Sequence, residues 1–264
     1  MCLILFSYAD HPDYRLILGA NRDEFHERPT APLGYWESGA AGPVSASVLA
    51  GRDLRGGGTW MGVTRAGRFA ALTNFRDPSA NRNGAPSRGV LVKDFLTGHE
   101  PPLPYLTRIM RNGASYNGFN LLVGDRRDLF CYSSRRGEIQ VVTPGIHGLS
   151  NRFLDSPWPK VDRGKAAMAQ VCSNGRITSE AVLRILEDRR RPSDDLLPET
   201  GVGLEWERIL SSMFIVSPTY GTRSSSALLV GNGGEIRFVE RTFIPDGDES
   251  RAVMTRRFRF TIDE

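Results

Sequence analysis

The order of its apolar segments limits the folds open to this chain more than any other feature of the sequence. Short apolar runs bounded by Gly, Pro, Asn and Asp, which are typical of strands, come first along the chain. Two segments with helical periodicity follow, strands return, two more helical segments come next, and the last third is again rich in strands. A doubly wound parallel sheet would instead alternate single strands with helices. The grouping therefore predicts a layered α+β fold.

Individual elements can be placed on the same grounds. Residues 2–8 and 14–20 predict a hairpin at the amino terminus, joined by the polar turn Asp10-His11-Pro12-Asp13. Ser87 is predicted to cap a first helix that includes Leu91 and Phe95. The other predicted helices are 105–111, 162–172 and 179–189, and the other predicted strands are 59–64, 68–75, 119–124, 129–133, 139–143, 213–217, 225–231, 235–243 and 257–262.

Charge and hydropathy argue against several classes of partner. The formal net charge is +4, and of the 34 basic residues only Lys93, Lys160 and Lys165 are lysine, the rest being arginine spread along the chain. No basic stripe interleaved with aromatic residues is present, so nucleic acid is not an expected partner. The apolar run at residues 2–6 is too short to span a bilayer and shows no leader pattern, so we expect a cytoplasmic protein without membrane insertion.

Cysteine and histidine usage argues against disulfides and metals. The three cysteines, Cys2, Cys131 and Cys172, form no Cys-x-x-Cys pair, which is typical of a reducing compartment. The four histidines show no His-Glu-x-x-His spacing, and neither Cys131 nor Cys172 has a His or a second Cys close by in the sequence. The sequence therefore predicts no metal site and no resident cofactor, and it predicts that Cys131 and Cys172 are core thiols.

Cys2 is a candidate nucleophile. A small residue after Met1 permits removal of the initiator, which would leave Cys2 with a free α-amine beside its thiol. The ordinary pKa values, about 8 for the amine and about 8.5 for the thiol, are close enough for the amine to act as a general base near neutral pH. Taken alone, such a cysteine is more often a small buried hydrophobe, so other features must decide between the two interpretations.

Polar strings at the predicted strand ends decide in favour of a site. The first, Asn21-Arg22-Asp23-Glu24, directly follows the strand that should pair with the Cys2 strand, so its side chains are expected beside the amino terminus. Further strings are Gly58-Thr59-Trp60-Met61-Gly62, Thr73-Asn74-Phe75-Arg76, Leu149-Ser150-Asn151 and Tyr220-Gly221-Thr222-Arg223-Ser224-Ser225. Together and in this order they make the chain resemble, over nearly its whole length, the NRDE family, also called the transport and Golgi organisation 2 family.

That family is similar to the cysteine N-terminal nucleophile hydrolases, such as penicillin V acylases and bile salt hydrolases, which cleave amides. The resemblance implies one domain over residues 1–264, folded as a four-layer αββα sandwich with two antiparallel sheets between helical layers. Within Gly19-Ala20-Asn21-Arg22-Asp23, it places Asp23 at the position of the hydrolases' Asp. Those enzymes carry Arg where this chain has Ala20, and that charge would help to keep the thiolate ionised. Arg22 is the residue that would replace it.

The resemblance also assigns the other site residues. The implied catalytic set is Cys2, Asp23, Asn74, Asn151 and Arg223. In that set the two Asn amides would donate to an oxyanion, with Asn151 alternatively fixing the α-amine. Asp23 would orient the α-amine, and Arg223 would lower the pKa of the thiol. The implied reaction is acyl transfer from an amide or thioester through a thioester on Cys2.

The expected substrate contacts come from two groups of residues. The polar ones, Asn21, Arg22 and His26, belong to or follow the first polar string. Trp60 and Phe75, together with Trp36, are expected to line an apolar pocket for the acyl group.

Other interpretations stay open. The resemblance also brings proposed roles in haem trafficking and in acyl-CoA or lipid handling, for which His26 is the candidate axial haem ligand and Arg22 and Arg28 would meet the propionates. Glutamine-amidotransferase-like chemistry is less favoured, because the chain holds no synthetase-sized partner domain. Residues 192–207 are polar and acidic, and they are predicted to be a lid, a contact in a possible homodimer or a surface excursion.

Overall fold

The computed structural model describes residues 2–36, 48–246 and 249–263 of the chain. These residues fall into two compact units, each with one sheet and its own helices. The first unit comprises Met1–Glu27, Arg76–Ser79 and Thr143–Arg259. The second comprises Arg28–Phe75, Ala80–Val142 and Phe260–Glu264. The predicted α+β class with two antiparallel sheets is confirmed.

Thirteen strands and five α-helices are present in the described residues. The strands are β1 (Cys2–Tyr8), β2 (Tyr14–Phe25), β3 (Thr30–Tyr35), β4 (Val48–Asp53), β5 (Met61–Thr64), β6 (Phe69–Asn74), β7 (Phe119–Gly124), β8 (Leu129–Ser133), β9 (Glu138–Val141), β10 (Gly145–Leu149), β11 (Tyr220–Gly231), β12 (Glu235–Asp246) and β13 (Glu249–Thr261). The helices are α1 (Gly89–Thr97), α2 (Pro102–Asn112), α3 (Pro159–Ser173), α4 (Ser179–Ile185) and α5 (Leu204–Leu210).

The sheet of the first unit has the strand order β10-β1-β2-β11-β12-β13. Helix α3 packs on β1 and β10, and α4 packs on β2 and β11. Because side chains alternate along a strand, one face of β1 and β2 presents Leu3, Leu5 and Ile17 to these helices, where they meet Val161 and Val182. This core holds the amino-terminal strand in the interior of the sheet.

The sheet of the second unit has the order β3-β4-β5-β6-β7-β8-β9. Its strands are joined in sequence as an antiparallel meander, and α1 and α2 cover it. Phe95 of α1 and Tyr105 of α2 pack edge to face with their ring centroids 5.1 Å apart at the centre of this core.

Strand β2 is longer than the sequence predicts. It continues to Phe25, so the string from Asn21 to Glu24 lies inside the strand, and the predicted end at residue 20 is wrong. The reason is β11, which pairs with the second edge of β2 from Leu16 to Phe25. Polar residues can extend a strand when a neighbouring ladder satisfies their backbone groups, and beyond Arg22 that ladder is the one with β11.

Several other boundaries also differ. In the part of the chain that the structure describes, residues 213–217 form no strand, because Phe214 N–H donates to Asp188 O and Ile215 N–H to Thr222 Oγ1 instead of to a ladder. The residue before α1 is Arg88, so Ser87 does not cap that helix. Strands β3, β4 and β10 and helix α5 were not predicted.

Asp155 lies in the connection from β10 to α3, which also carries Asn151, and it bonds residues of both elements. One carboxylate oxygen accepts from Gly148 N at 2.9 Å and from Lys165 Nζ at 2.7 Å, and the other lies 2.7 Å from His147 Nδ1. Asp155 also has a positive φ of 57°, a conformation that Asp and Asn tolerate better than most residues. The hydrogen bond to Asp155 raises the pKa of His147.

We expect Asp155→Asn to lower the free energy of unfolding by about 1 kcal/mol, because Asn tolerates this backbone but does not carry the charge that His147 and Lys165 meet. Because the pKa of His147 is raised in the folded state, its protonation stabilises the fold. This stabilisation is fully present below the ordinary pKa of 6.5 and is lost as pH rises through the pKa of the folded state. The difference between the two proteins in urea unfolding should therefore be larger at about pH 6 than at about pH 9. An equal difference at both pH values would contradict the assigned ion pair.

Candidate active site

The Cys2 side chain lies opposite Arg22. The register of β1 and β2 pairs Cys2 with Arg22 and Ile4 with Ala20, so Cys2 and Arg22 share one face of the sheet. The backbone N–H of Asp23 donates to the Cys2 sulfur. Arg22 therefore presents a guanidinium on the same face as Ala20, two cross-strand pairs nearer to the amino terminus.

The ionisation of the Cys2 thiol is set mainly by burial. Burial raises the pKa of the thiol, and the Asp23 carboxylate raises it further. The positive amino terminus and Arg22 oppose this shift. Because the net direction is upward, the thiol keeps its proton at neutral pH, and a reaction at Cys2 needs a base to accept that proton.

Asp23 is a buried carboxyl held by β11. It pairs with Thr222 across the ladder, and Thr222 Oγ1 donates to its Oδ1 at 2.8 Å. Only 2% of Asp23 is exposed, and burial raises its pKa to about 6, against the opposing charges of the amino terminus, Lys160 and Arg22. Asp23 is therefore ionised at neutral pH only because positive groups surround it.

Lys160 is a charged residue of the site that the sequence did not single out. It is the second residue of α3, only 3% exposed, and its Nζ donates to Leu210 O at 2.8 Å. Burial, with the charge of Arg76, lowers the pKa of Lys160 to about 7, although Asp23, Glu207 and Cys2 act in the opposite direction. One signal in the sequence was available, because Lys is rare in this Arg-rich chain.

Arg76 and Glu207 form a buried ion pair that also positions Asn151. Arg76 Nη1 lies 2.6 Å from Glu207 Oε2, with both side chains almost fully buried. Arg76 Nη2 donates to Asn151 Oδ1 at 3.3 Å, and Arg76 N donates to Asn151 O at 2.8 Å. The Trp158 ring covers the guanidinium at 4.9 Å. The sequence predicts Asn151 as a site residue, whereas Arg76 appears only as the last residue of a quoted string and Glu207 only within the segment 192–207.

Arg223 lies at an irregularity of β11, where the register with β2 shifts between Thr222 and Ser224. Its Nη1 donates to Phe25 O at 3.0 Å and to His26 O at 2.9 Å. These hydrogen bonds hold the carboxyl end of β2 against β11. The guanidinium that acts most strongly on the pKa of the Cys2 thiol is that of Arg22 and not, as the resemblance implies, that of Arg223.

His26 and Arg28 are both engaged within their own units. His26 Nε2 lies 3.0 Å from Ser217 O, so this nitrogen carries the proton and donates it to the carbonyl. Arg28 Nη2 pairs with Asp53 Oδ2 at 2.6 Å. In this tautomer the unprotonated nitrogen is Nδ1, which is buried. The axial haem role of His26 stays a prediction.

Asn21 is buried and makes three hydrogen bonds. Its Nδ2 donates to Leu186 O at 2.9 Å and Met213 O at 2.8 Å, and its Oδ1 accepts from Ser225 Oγ at 2.6 Å. With none of its surface exposed, the side chain joins the sheet to the chain beyond α4. This geometry supports a structural part for Asn21 and gives no support to a contact with substrate.

The remaining predicted residues belong to the second unit. Asn74 ends β6, where it pairs with Phe119, and Phe75 N–H donates to Gly118 O. The buried Trp60 ring lies against Gly51, where an added Cβ would come within 2.3 Å of it. Trp36 Nε1 donates to Ala50 O at 3.2 Å. Their proposed contacts with substrate stay predictions.

Residues 194–207 of the first unit line a cavity of about 540 Å³. Glu207 lies in its wall and also receives Thr200 N–H at 2.9 Å, and Asp194 pairs with Arg208. The segment predicted as a lid, dimer contact or surface excursion is thus tied to the core through Glu207.

No helix in the described residues is both long and apolar enough to cross a bilayer. Over the same ranges, no group of three or more His, Cys, Asp or Glu side chains is arranged to hold a metal ion.

Comparison with known proteins identifies the family. The model of the Transport and Golgi organisation 2 family matches residues 1–245. The chain is 36% identical to the Transport and Golgi organization protein 2 homolog of Bos taurus over 98% of this chain and 99% of that protein, and 35% identical to the Homo sapiens homolog over 99% of each. The fold is also similar to a solved structure of the Caenorhabditis elegans N-acylethanolamine-hydrolyzing acid amidase ortholog, with a TM-score of 0.43 and 9% sequence identity over 86% of this chain and 92% of that one. On the sequence matches, the chain belongs to the Transport and Golgi organisation 2 family.

Proposed function

We propose that this protein is a hydrolase that cleaves amides or thioesters by acyl transfer through Cys2. The observation that carries the proposal is the Cys2 thiol beside the Arg22 guanidinium and bonded by Asp23 N–H, in a buried cluster of opposite charges. Burying ionisable groups costs free energy that the packing of a strand does not require, and such buried groups are typical of sites that control proton transfer.

The first step requires a base, because the Cys2 thiol is protonated at neutral pH. Removal of Met1, which lies outside the described residues, would give Cys2 a free α-amine that accepts the thiol proton. The sulfur then forms a bond to the substrate carbonyl carbon, and the carbonyl oxygen becomes an oxyanion. On collapse, the bond to the leaving amine or thiol breaks, and the α-ammonium returns its proton to that group.

The second step is hydrolysis of the thioester on Cys2. The α-amine takes a proton from water, and the hydroxide forms a bond to the carbonyl carbon. The carbon–sulfur bond then breaks to release a carboxylic acid, and the α-ammonium returns its proton to the sulfur, which restores the thiol and the free amine. Asp23 orients the α-amine by its charge. Because Asn151 Oδ1 accepts from Arg76, donation from Asn151 to the oxyanion would come from Nδ2. Asn74 is the second proposed donor, from its sequence position alone.

The test is a hydrolysis screen of acyl-anilides and acyl-CoA thioesters of short to long chain, with the full-length protein. We expect turnover of at least one class, a fall to the uncatalysed rate in Cys2→Ala, and an unchanged rate in Cys172→Ser, which alters the other partly exposed cysteine. Acid-quenched samples should show the amino-terminal peptide heavier by one acyl group.

Intact mass decides between this proposal and a carrier. A mature chain that begins at Cys2 supports the hydrolase, whereas retention of Met1 removes the proposed base and contradicts it. Binding of acyl-CoA without turnover, equal in wild type and Cys2→Ala, would also contradict it and would favour the carrier role in acyl-CoA or lipid handling.

A further inference from the structure

We propose that Lys160 is a positioning residue of this site: its buried ammonium supplies the positive charge beside the Asp23 carboxylate, and the two charges together hold the amino group of Cys2 for proton transfer. This inference rests on the proposed function and deepens it. It adds a residue that lies in none of the strings that carry the family resemblance.

The packing of α3 brings Lys160 to the amino-terminal end of β1. Farther along the helix, Gly164 lies against Leu5, where an added Cβ would come within 2.5 Å of that side chain. Val161 lies against Gly148 of β10. Near the end of the helix, Cys172 contacts Ser7, which lies towards the end of β1. The helix therefore runs in the same direction as β1, which places Lys160, near its start, at the Cys2 end of the strand.

Lys160 is fixed there by a single carbonyl. Its Nζ donates to Leu210 O, at the last residue of α5, at a distance of 2.8 Å. A void of about 10 Å³ beside it, lined by Trp158 and Leu210 among others, is about large enough for one water molecule. Bulk water therefore does not screen the ammonium, and its interactions with nearby buried charges are strong.

Four groups act on the charge of Lys160: Arg76, Asp23, Glu207 and Cys2. Arg76 and Glu207 already neutralise each other across 2.6 Å. The buried carboxylate that remains to balance Lys160 is that of Asp23, and Lys160 is the side-chain cation that acts most strongly on Asp23. Burying either charge without the other would be costly, so the two depend on each other.

Their titration ranges agree with this dependence. The pKa of Asp23 is raised to about 6 and that of Lys160 is lowered to about 7, in both cases mainly by burial. Each group thus changes its charge near neutral pH, where loss of one charge destabilises the other.

The test measures the ionisation of Asp23 directly, in full-length protein labelled with carbon-13 at the aspartate carboxyls. The Asp23 resonance is assigned by its absence in Asp23→Asn. In Lys160→Gln, whose amide still donates to Leu210 O but carries no charge, we expect the Asp23 midpoint to rise by about one pH unit, a tenfold change in proton affinity. In Lys160→Arg, which keeps the charge, the midpoint should stay at or below the wild-type value.

An equal Asp23 midpoint in wild type and Lys160→Gln would overturn the proposal, because a purely structural lysine would leave that carboxyl unaffected. With an acyl substrate in hand, the acid limb of the kcat/KM profile should move upward in Lys160→Gln and not in Lys160→Arg. If the wild type hydrolyses nothing, the proposed function fails while the titration still decides the role of Lys160.

Discussion

Asp23→Asn is expected to lower kcat/KM for the acyl substrate by about a hundredfold or more. It should also lower the free energy of unfolding, because the buried ammonium of Lys160 loses its counterion. The Asn side chain can still accept from Thr222 Oγ1, which lies 2.8 Å from Asp23 Oδ1. It carries no charge to orient the amino group of Cys2 or to stabilise the ammonium that forms when the thiol loses its proton. The measurement is the kcat/KM profile against pH: we expect an acid limb near pH 6 in the wild type and none in Asp23→Asn.

The difference in stability between the wild type and Asp23→Asn should depend on pH. A carboxyl whose pKa rises from 3.8 unfolded to about 6 folded makes the native state less stable as pH rises through that interval. The free energy of unfolding of the wild type, relative to Asp23→Asn, should therefore fall between about pH 4 and about pH 6 and then level off.

Thr222→Val is the matched control. It removes the hydrogen bond to Asp23, together with the one that Thr222 Oγ1 accepts from Ile215 N–H, and keeps the carboxylate. We expect a smaller loss of activity, about tenfold, and an acid limb moved to higher pH, because the ionised form loses a donor. Full activity in Asp23→Asn would refute the assigned role of the charge.

Glu207→Gln is expected to lower the free energy of unfolding by about 3–5 kcal/mol, because it leaves the buried charge of Arg76 without its counterion. Arg76 and Glu207 are separated by 2.6 Å, and their side chains are 3% and 5% exposed. Loss of the pair should also release Asn151, which Arg76 holds through two hydrogen bonds, so activity should fall with stability.

Urea unfolding measures this effect, with Glu205→Gln as control. Glu205 is an exposed carboxylate on the same helix, and its neutralisation should change stability by no more than about 0.5 kcal/mol. The double variant Arg76→Met/Glu207→Leu should cost less than Glu207→Gln, since it leaves no buried charge unpaired. A single variant as stable as the wild type would show that the ion pair contributes nothing to the fold.

Much of the fold could be predicted from local pattern. Strands 2–8, 119–124 and 129–133 were predicted with the observed bounds, because each is an apolar run ended by turn residues. Strand β3, with Pro32 and Gly34, lacks such a run, and its pairing with β4 is irregular. Helix α5 is a seven-residue helix within a polar segment, and local pattern alone did not reveal it.

The sequence by itself determined that Cys2, a small nucleophilic residue, begins the first strand. It also determined that the polar string from Asn21 to Glu24 follows the apolar part of the second strand. Chain order and local periodicity suffice for that, since the two strands are joined by a short turn. Only the tertiary structure decided which charges meet there. Thr222 lies 199 residues from Asp23, and Arg76 lies 131 residues from Glu207. Burial excludes the water that would otherwise screen these groups, and no local pattern records which distant side chains will be enclosed together.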